Sequence, residues 1–316
     1  MSGEKESRTG DEASSSARGS NEPAGERSAL VPKTMVLADS HEHTEREARA
    51  IEAWDHASVM FWIMNDCCWS QETELVFFPM TFVIILFTRN VWASRDNKNE
   101  FRHALAVFFW LVGANTAWVY QDFYGSIPSL EVWCLVCYAT SISIEVVQLV
   151  SAAAAATSWS KDAEESGDAY EVSDAFQAIA VLSWAAHDMT VFMYYNLSTI
   201  SRYYCRVTWW MLSIIILAQV SYYLIFQTRL LVTTPESSGA DYALALFAWS
   251  VGCILWEFGD FYMPEEQEPG GVLKLPDDAR NFRWASFWVI VLGSVPLMMW
   301  CVRHFLYFTR PRGKID

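Results

Sequence analysis

The sequence predicts an all-α polytopic membrane bundle of about eight transmembrane helices, built as two parallel four-helix repeats. Three observations carry that expectation. Beyond residue 50 the chain is a series of apolar runs separated by short charged loops, as in a multi-pass helical protein. Four of the runs carry a tryptophan followed four residues later by an aspartate: Trp62/Asp66, Trp118/Asp122, Trp184/Asp188 and Trp256/Asp260. Short blocks around two of these pairs recur in order.

The polar start, residues 1 to about 50, is rich in Ser, Glu, Gly and Arg and has no hydrophobic period, so it reads as a disordered tail. No cleaved signal peptide is visible there, which leaves the first apolar segment to act as a membrane anchor. Residues 51–309 form the membrane domain, and 310–316 a short cytoplasmic tail. Eight helices are expected, at 51–70, 75–93, 102–124, 129–157, 173–197, 206–228, 240–263 and 284–308. The first is short: its apolar stretch, Ala57 to Trp69, falls below the roughly 20 residues of a full span. Continued into the second segment, it would give seven helices instead.

Internal repetition favours eight. Trp110-Leu-Val-Gly113 precedes Trp118-Val-Tyr-Gln-Asp-Phe-Tyr124, and Trp249-Ser-Val-Gly252 precedes Trp256-Glu-Phe-Gly-Asp-Phe-Tyr262, with a one-residue offset between the blocks. Their upstream partners are Trp62-Ile-Met-Asn-Asp66 and Trp184-Ala-Ala-His-Asp188. That order implies two related halves in parallel orientation. Charge agrees. Eight helices place both termini on one side with the loops holding Arg89, Arg95, Lys98, Arg102, Lys161 and Arg229. Arg46, Arg49, Arg303, Arg310, Arg312 and Lys314 join them, against Arg202, Arg206, Lys274, Arg280 and Arg283 opposite. By the positive-inside rule both termini are cytoplasmic, and the endoplasmic reticulum is the expected membrane. All four aspartates then fall in the half of the membrane away from the cytoplasm, as if around one chamber.

The net charge of −15 sits mostly in the tail and in acidic loops, and it argues against nucleic-acid binding, which needs a basic stripe. The seven cysteines (Cys67, Cys68, Cys134, Cys137, Cys205, Cys253 and Cys301) lie in or beside apolar segments and read as packing residues, Cys134-x-x-Cys137 included. No nucleotide, metal or haem motif occurs, and no cofactor or metal is expected. No lysine lies in an expected membrane helix to form a retinal Schiff base. No such helix carries the His-x-x-x-His of ceramidase-like hydrolases.

An aspartate within an apolar helix is costly and marks a functional site by default. Spacing of i,i+4 sets ring and carboxylate on one face. With 16 Trp and 15 Asp in 316 residues, chance supplies about one such pair, which Trp92/Asp96 at a charged loop accounts for. Trp249, Cys253, Trp256 and Asp260 share a stripe flanked by Glu257, and Trp110, Ala114, Trp118 and Asp122 repeat it. Ring faces stabilise a passing cation. A carboxyl shielded from water holds its proton more tightly and can serve as an acid. Together they suit carbocation chemistry on an isoprenoid chain or its epoxide.

Asn115-Thr-Ala-Trp118 with Tyr120, and Cys253-Ile-Leu-Trp256-Glu257, resemble the Asn-x-x-Trp-Glu helix of fungal transmembrane terpene cyclases of meroterpenoid pathways. The resemblance covers two helices and short motifs. It implies a membrane isomerase that cyclises a prenylated aromatic epoxide by acid initiation in secondary metabolism. Val119 stands where the family's early helix has its glutamate, and residues 284–308 lack the family's second acid. Glu257, Asp260, Asp122, Asp66 and Asp188 are thus the candidate acids, with Glu257 the residue that best matches the motif. Trp62, Trp110, Trp118, Trp184, Trp249 and Trp256 are the candidate cation-stabilising rings. The expected partners are an apolar isoprenoid and the lipid bilayer.

Plainer readings stand beside these. Each aspartate near a helix end suits an interfacial position with its tryptophan in the aromatic belt. Glu145 fits a structural hydrogen bond as well as a functional role. His187 suits packing more than proton transfer, and His103 and His304 suit the surface. A proton-coupled transporter, or a multi-pass receptor or assembly protein, is the alternative function.

Overall fold

The computed structural model describes residues 53–157, 172–197, 202–233, 239–262, 266–267, 273–274 and 277–309. Ala48–Asp316 is one compact unit. The tail of residues 1–50 and the end, 310–316, lie outside the described residues.

Eight long helices are described: α1 (53–70), α2 (Phe77–Ala93), α3 (Lys98–Tyr124), α4 (Pro128–Thr157), α5 (Val172–Asn196), α6 (Arg202–Thr233), α7 (Gly239–Tyr262) and α8 (Asp277–Thr309). A two-residue antiparallel pair, Glu266–Gln267 with Leu273–Lys274, lies between α7 and α8. α1 does not run into α2. It ends in a turn at Gln71 and Glu72, where Glu72 has φ 53°, and a 3₁₀ turn at Glu74–Val76 follows. Three helices begin earlier than hydropathy predicts, α3 at Lys98, α6 at Arg202 and α8 at Asp277, because their first turns are polar. Asn97 caps α3 by accepting the N–H groups of Asn99 and Glu100.

Among the described residues six helices are long and apolar enough to cross a membrane, as in a multi-pass membrane protein: α2, α3, α4, α6, α7 and α8. The two that fall short, α1 and α5, carry Asn65-Asp66 and His187-Asp188. About half of their described residues are buried, Asp66, His187 and Asp188 among them, so protein surrounds their polar side chains. The even-numbered helices turn large apolar side chains outward, such as Phe78 and Ile85 on α2, Met211 and Ile214 on α6 and Leu292 and Met299 on α8. The odd-numbered helices form the interior and carry the acids.

Close backbone approach brings α7 against α8. A Cβ on Gly252 would meet Ile290 Cγ1 at 2.3 Å, and one on Gly293 would meet Ala248 Cβ at 2.0 Å. Small residues allow this contact where no hydrophobic effect drives helices together.

α3 contains a π-helical stretch, Phe108–Asn115, between regular segments. A π-bulge inserts one residue into a helix. Trp110 and Trp118 are eight residues apart while Trp249 and Trp256 are seven apart. The wider turn absorbs the extra residue noted between the two blocks. Its loosened carbonyls find side-chain donors, which an apolar setting demands. Trp133 Nε1 donates to Gly113 O at 3.0 Å, Cys134 Sγ to Ala114 O at 3.4 Å and Thr116 Oγ1 to Leu111 O at 3.3 Å. Cys137 packs onto Gly113, and all seven cysteines are free thiols. Cys134-x-x-Cys137 is thus a packing pair against the bulge.

Candidate functional site

A cavity of about 910 Å³ opens among the C-terminal ends of α1, α3, α5 and α7 and the first turns of α6 and α8. Asp66, Asp122, Asp188, Glu257 and Asp260 all line it, so the five acids picked from sequence share one chamber. Trp62, Trp118, Trp184, Trp249 and Trp256 line it too. Trp110 does not. It is buried behind the wall, roughly parallel to Trp184 at 6.5 Å, and contributes a donor rather than a ring face.

The acids occupy two levels because they sit at different distances from their helix ends. Asp122 and Asp260 lie two residues before the ends of α3 and α7, at the rim. Asp66 and Asp188 lie farther from the ends of α1 and α5, and only 4% and 9% of their surface is exposed. Both rim acids line the cavity, Asp122 exposed and Asp260 half-buried.

Each deep aspartate takes an indole N–H from the opposite half of the chain. Trp249 Nε1 on α7 donates to Asp66 Oδ2 at 2.7 Å, and Trp110 Nε1 on α3 donates to Asp188 Oδ2 at 2.7 Å. Second contacts match as well. Cys253 Sγ approaches Asp66 Oδ2 at 4.0 Å, and Asn115 Nδ2 donates to Asp188 Oδ2 at 2.9 Å. Tyr138 Oη on α4 donates in turn to Asn115 Oδ1. Asn65 Nδ2 adds a weak contact to Asp66 Oδ1 at 3.4 Å.

At the rim, Trp69 Nε1 donates to Asp122 Oδ2 at 2.9 Å. The Trp69 ring meets Trp118 and Trp256 edge-on at 4.9 and 5.1 Å. Asp260 differs from the other acids. Arg283 on α8 donates Nε to its Oδ1 at 3.2 Å and Nη2 to its Oδ2 at 3.0 Å, a bidentate clamp that occupies both oxygens. The same guanidinium reaches Glu72 Oε1 at 2.5 Å, tying the end of α1 to α7 and α8. Such a carboxylate is a fixed charge and is poorly placed to give up a proton.

Glu257 is tethered by one oxygen. Trp209 Nε1 on α6 donates to Oε2 at 2.6 Å, and His187 Nε2 lies 3.2 Å from the same oxygen. His187 is fully buried, its Nε2 is 3.2 Å from Ser213 Oγ, and its Nδ1 is 3.5 Å from Asp188 Oδ1. Nδ1 has no aligned hydrogen-bond partner. The imidazole therefore lies between two carboxylates with one nitrogen toward each, which suits proton transfer between them. Among the described residues His187, Asp188 and Glu257 are also the one grouping able to hold a metal ion, with ligand atoms within 4.8 Å of one another. Opposite nitrogens facing the two carboxylates fit a bridge better than a converging ligand set.

Several residues of the site escaped the sequence reading. Trp69, Tyr194 and Tyr195 line the cavity and belong to no repeated pair, and neither does Trp209, buried behind Glu257. His187 is central where packing was expected. Arg202, Arg206 and Arg283 had a usable signal, because they are basic residues on the side where the charge bias disfavours them. His103 is also more than a surface residue: its Nδ1 lies 2.9 Å from Oε1 of the fully buried Glu145. That pair is outside the cavity lining. His304 stacks on Trp300 at 3.8 Å.

No family model, curated protein or solved structure matches this chain.

Proposed function

We propose that the protein is an integral-membrane terpene cyclase that protonates and cyclises an isoprenoid epoxide, with eight membrane-crossing helices in two related halves and both termini cytoplasmic in the endoplasmic reticulum. The observation that carries the reading is the sharing of one cavity by the five candidate acids and six tryptophans. Cyclisation of this kind needs a proton donor, ring faces that stabilise the migrating cation and a base for the last proton.

Glu257 is the initiating acid in this reading. One oxygen is held by Trp209 and His187, which leaves Oε1 for the substrate. Its proton passes to the epoxide oxygen as the carbon–oxygen bond opens. Trp62, Trp184 and Trp249 then face the cationic chain, with Trp184 and Trp249 rings 4.4 Å apart. Asp66 takes the proton lost at the final carbon, so the reaction is an isomerisation with no net proton change. The proton gained by Asp66 passes back to Glu257 by way of Asp188 and His187, which resets the site. Asp260, clamped by Arg283, supplies fixed charge at the rim, beside Asp122, which accepts the Trp69 N–H.

Expression in a heterologous host fed with prenylated phenol epoxides tests this. A cyclised isomer is expected from the wild type, with at least about 10²-fold less from Glu257→Gln. Unchanged substrate with folded wild-type protein present, or full activity in Glu257→Gln, would overturn it.

One observation favours a second reading, a proton-coupled carrier. His187 links Asp188 and Glu257, an arrangement that also serves proton relays in pumps and transporters. Proton-driven uptake of an organic cation into proteoliposomes, without turnover of any epoxide, would select it.

A further inference from the structure

We propose that Arg202 and Arg206 form an oxyanion seat at the mouth of the cavity, so that its occupant is an amphiphile with a carboxylate or phosphate group on an apolar chain. This deepens the cyclase reading by naming a feature of the substrate, and it rests on that reading only for the fate of the chain.

The two arginines stand one turn apart at the start of α6, hence on one face, and both line the cavity. Tyr194 on α5 supports both. Its ring lies 5.4 Å from the Arg202 guanidinium carbon and 5.6 Å from that of Arg206. Tyr262 supports Arg206 from α7 at 5.1 Å. Arg206 Nη2 donates to Tyr194 Oη at 2.9 Å, which fixes the fork, while its buried Nε has no partner. Arg283, the third arginine in the lining, is spent on Asp260 and Glu72. Among the described residues neither Arg202 nor Arg206 has a carboxylate partner.

Arg206, half-buried with an unpartnered Nε and no counter-charge, is costly beside a second guanidinium, and an anionic ligand removes that cost. The planar fork matches a carboxylate or phosphate bidentately. Beyond the pair the wall combines the rings of Trp69, Trp118, Trp184, Trp249 and Trp256 with the five acids, a surface for an apolar or cationic chain and not for a second anion. Head and tail are thereby assigned to opposite ends of one cavity.

Binding tests it without turnover. Full-length protein in zwitterionic nanodiscs is titrated with farnesoic acid, farnesyl phosphate and farnesol, following intrinsic tryptophan fluorescence. The acid and the phosphate are expected to bind at least about tenfold tighter than the alcohol. Arg202→Gln/Arg206→Gln should erase the preference and leave farnesol binding unchanged, and Arg202→Gln alone, at an exposed position, should reduce it. Equal affinity for acid and alcohol in the wild type, or an undiminished preference in the double variant, overturns the seat. Repeating the titration in phosphatidylglycerol nanodiscs separates sources. Loss of farnesoate binding there upholds the seat with a lipid headgroup as its occupant. Tight binding of the acid by a protein that cyclises nothing upholds the seat and removes only the cyclase. Cyclisation that is indifferent to both arginines removes only the seat.

Discussion

Trp249 donates its indole N–H to Asp66 across 183 residues of chain, and Trp110 does the same for Asp188 across 78. In each case the aspartate belongs to a Trp-x-x-x-Asp helix, and the donor opens a Trp-x-Val-Gly block in the other half of the molecule. Double-mutant cycles on Asp66→Asn/Trp249→Phe and Asp188→Asn/Trp110→Phe should therefore behave alike. Each Trp→Phe change should cost about 1–3 kcal/mol, since it strips a buried carboxyl of its donor. Coupling of about 1 kcal/mol or more is expected in both cycles, read from unfolding in detergent. Coupling in one pair and none in the other would deny their equivalence.

The π-helical stretch of α3 keeps Trp110 in phase with Trp118 and Asp122. A further residue inserted after Val112 exceeds what one π-helical turn absorbs and should turn everything beyond it by about 100°. Asp122 would then leave Trp69, and the carbonyls of Leu111, Gly113 and Ala114 would lose their matched donors. We expect about 3 kcal/mol or more of destabilisation, against about 1 for Val112→Ala. Thermal melting of the two variants side by side checks it.

His103 is the partner of Glu145, whose side chain is wholly buried on α4. His103→Ala should cost about 3 kcal/mol by leaving that acid without its counterpart. The double replacement His103→Leu/Glu145→Leu should recover most of the loss, because it removes both desolvated groups. A double variant as unstable as the single would mean that the pair is not the source of the effect.

Gly293 and Ala248 meet where α7 crosses α8. Gly293→Ala should cost about 1–3 kcal/mol through overpacking, since its new methyl would fall 2.0 Å from Ala248 Cβ. Adding Ala248→Gly should restore the melting temperature. Absence of rescue would place the clash elsewhere.

Much of this arrangement is written into the sequence. An acid inside an apolar segment is so costly that each one is informative, and the five chosen on that ground do share a cavity. The helices are legible for the same reason, apart from polar first turns such as Arg202–Arg206, which hydropathy overlooks. Partners are harder. The i,i+4 spacing places Trp62 and Asp66 on one face of α1, yet the donor to Asp66 arrives from α7. Pairings of that kind depend on how helices are set around one another, which no local pattern encodes. His187 was legible as a residue and not as a bridge, because Glu257, the second carboxylate it meets, is 70 positions away. Arg283 stands out by charge bias alone, and its partner Asp260 becomes visible only when α8 brings the two together.

The two polar helices at the centre, α1 and α5, bear on how the protein is made. A segment holding Asn65-Asp66 or His187-Asp188 partitions poorly into lipid alone, each aspartate adding about 3 kcal/mol near mid-membrane. If the two helices cross the bilayer, as proposed above, each should leave the insertion machinery together with the greasier segment synthesised next, α2 for the first and α6 for the second. A chain truncated just after α5 should then be retained or degraded, whereas one ending after α6 should enter the bilayer.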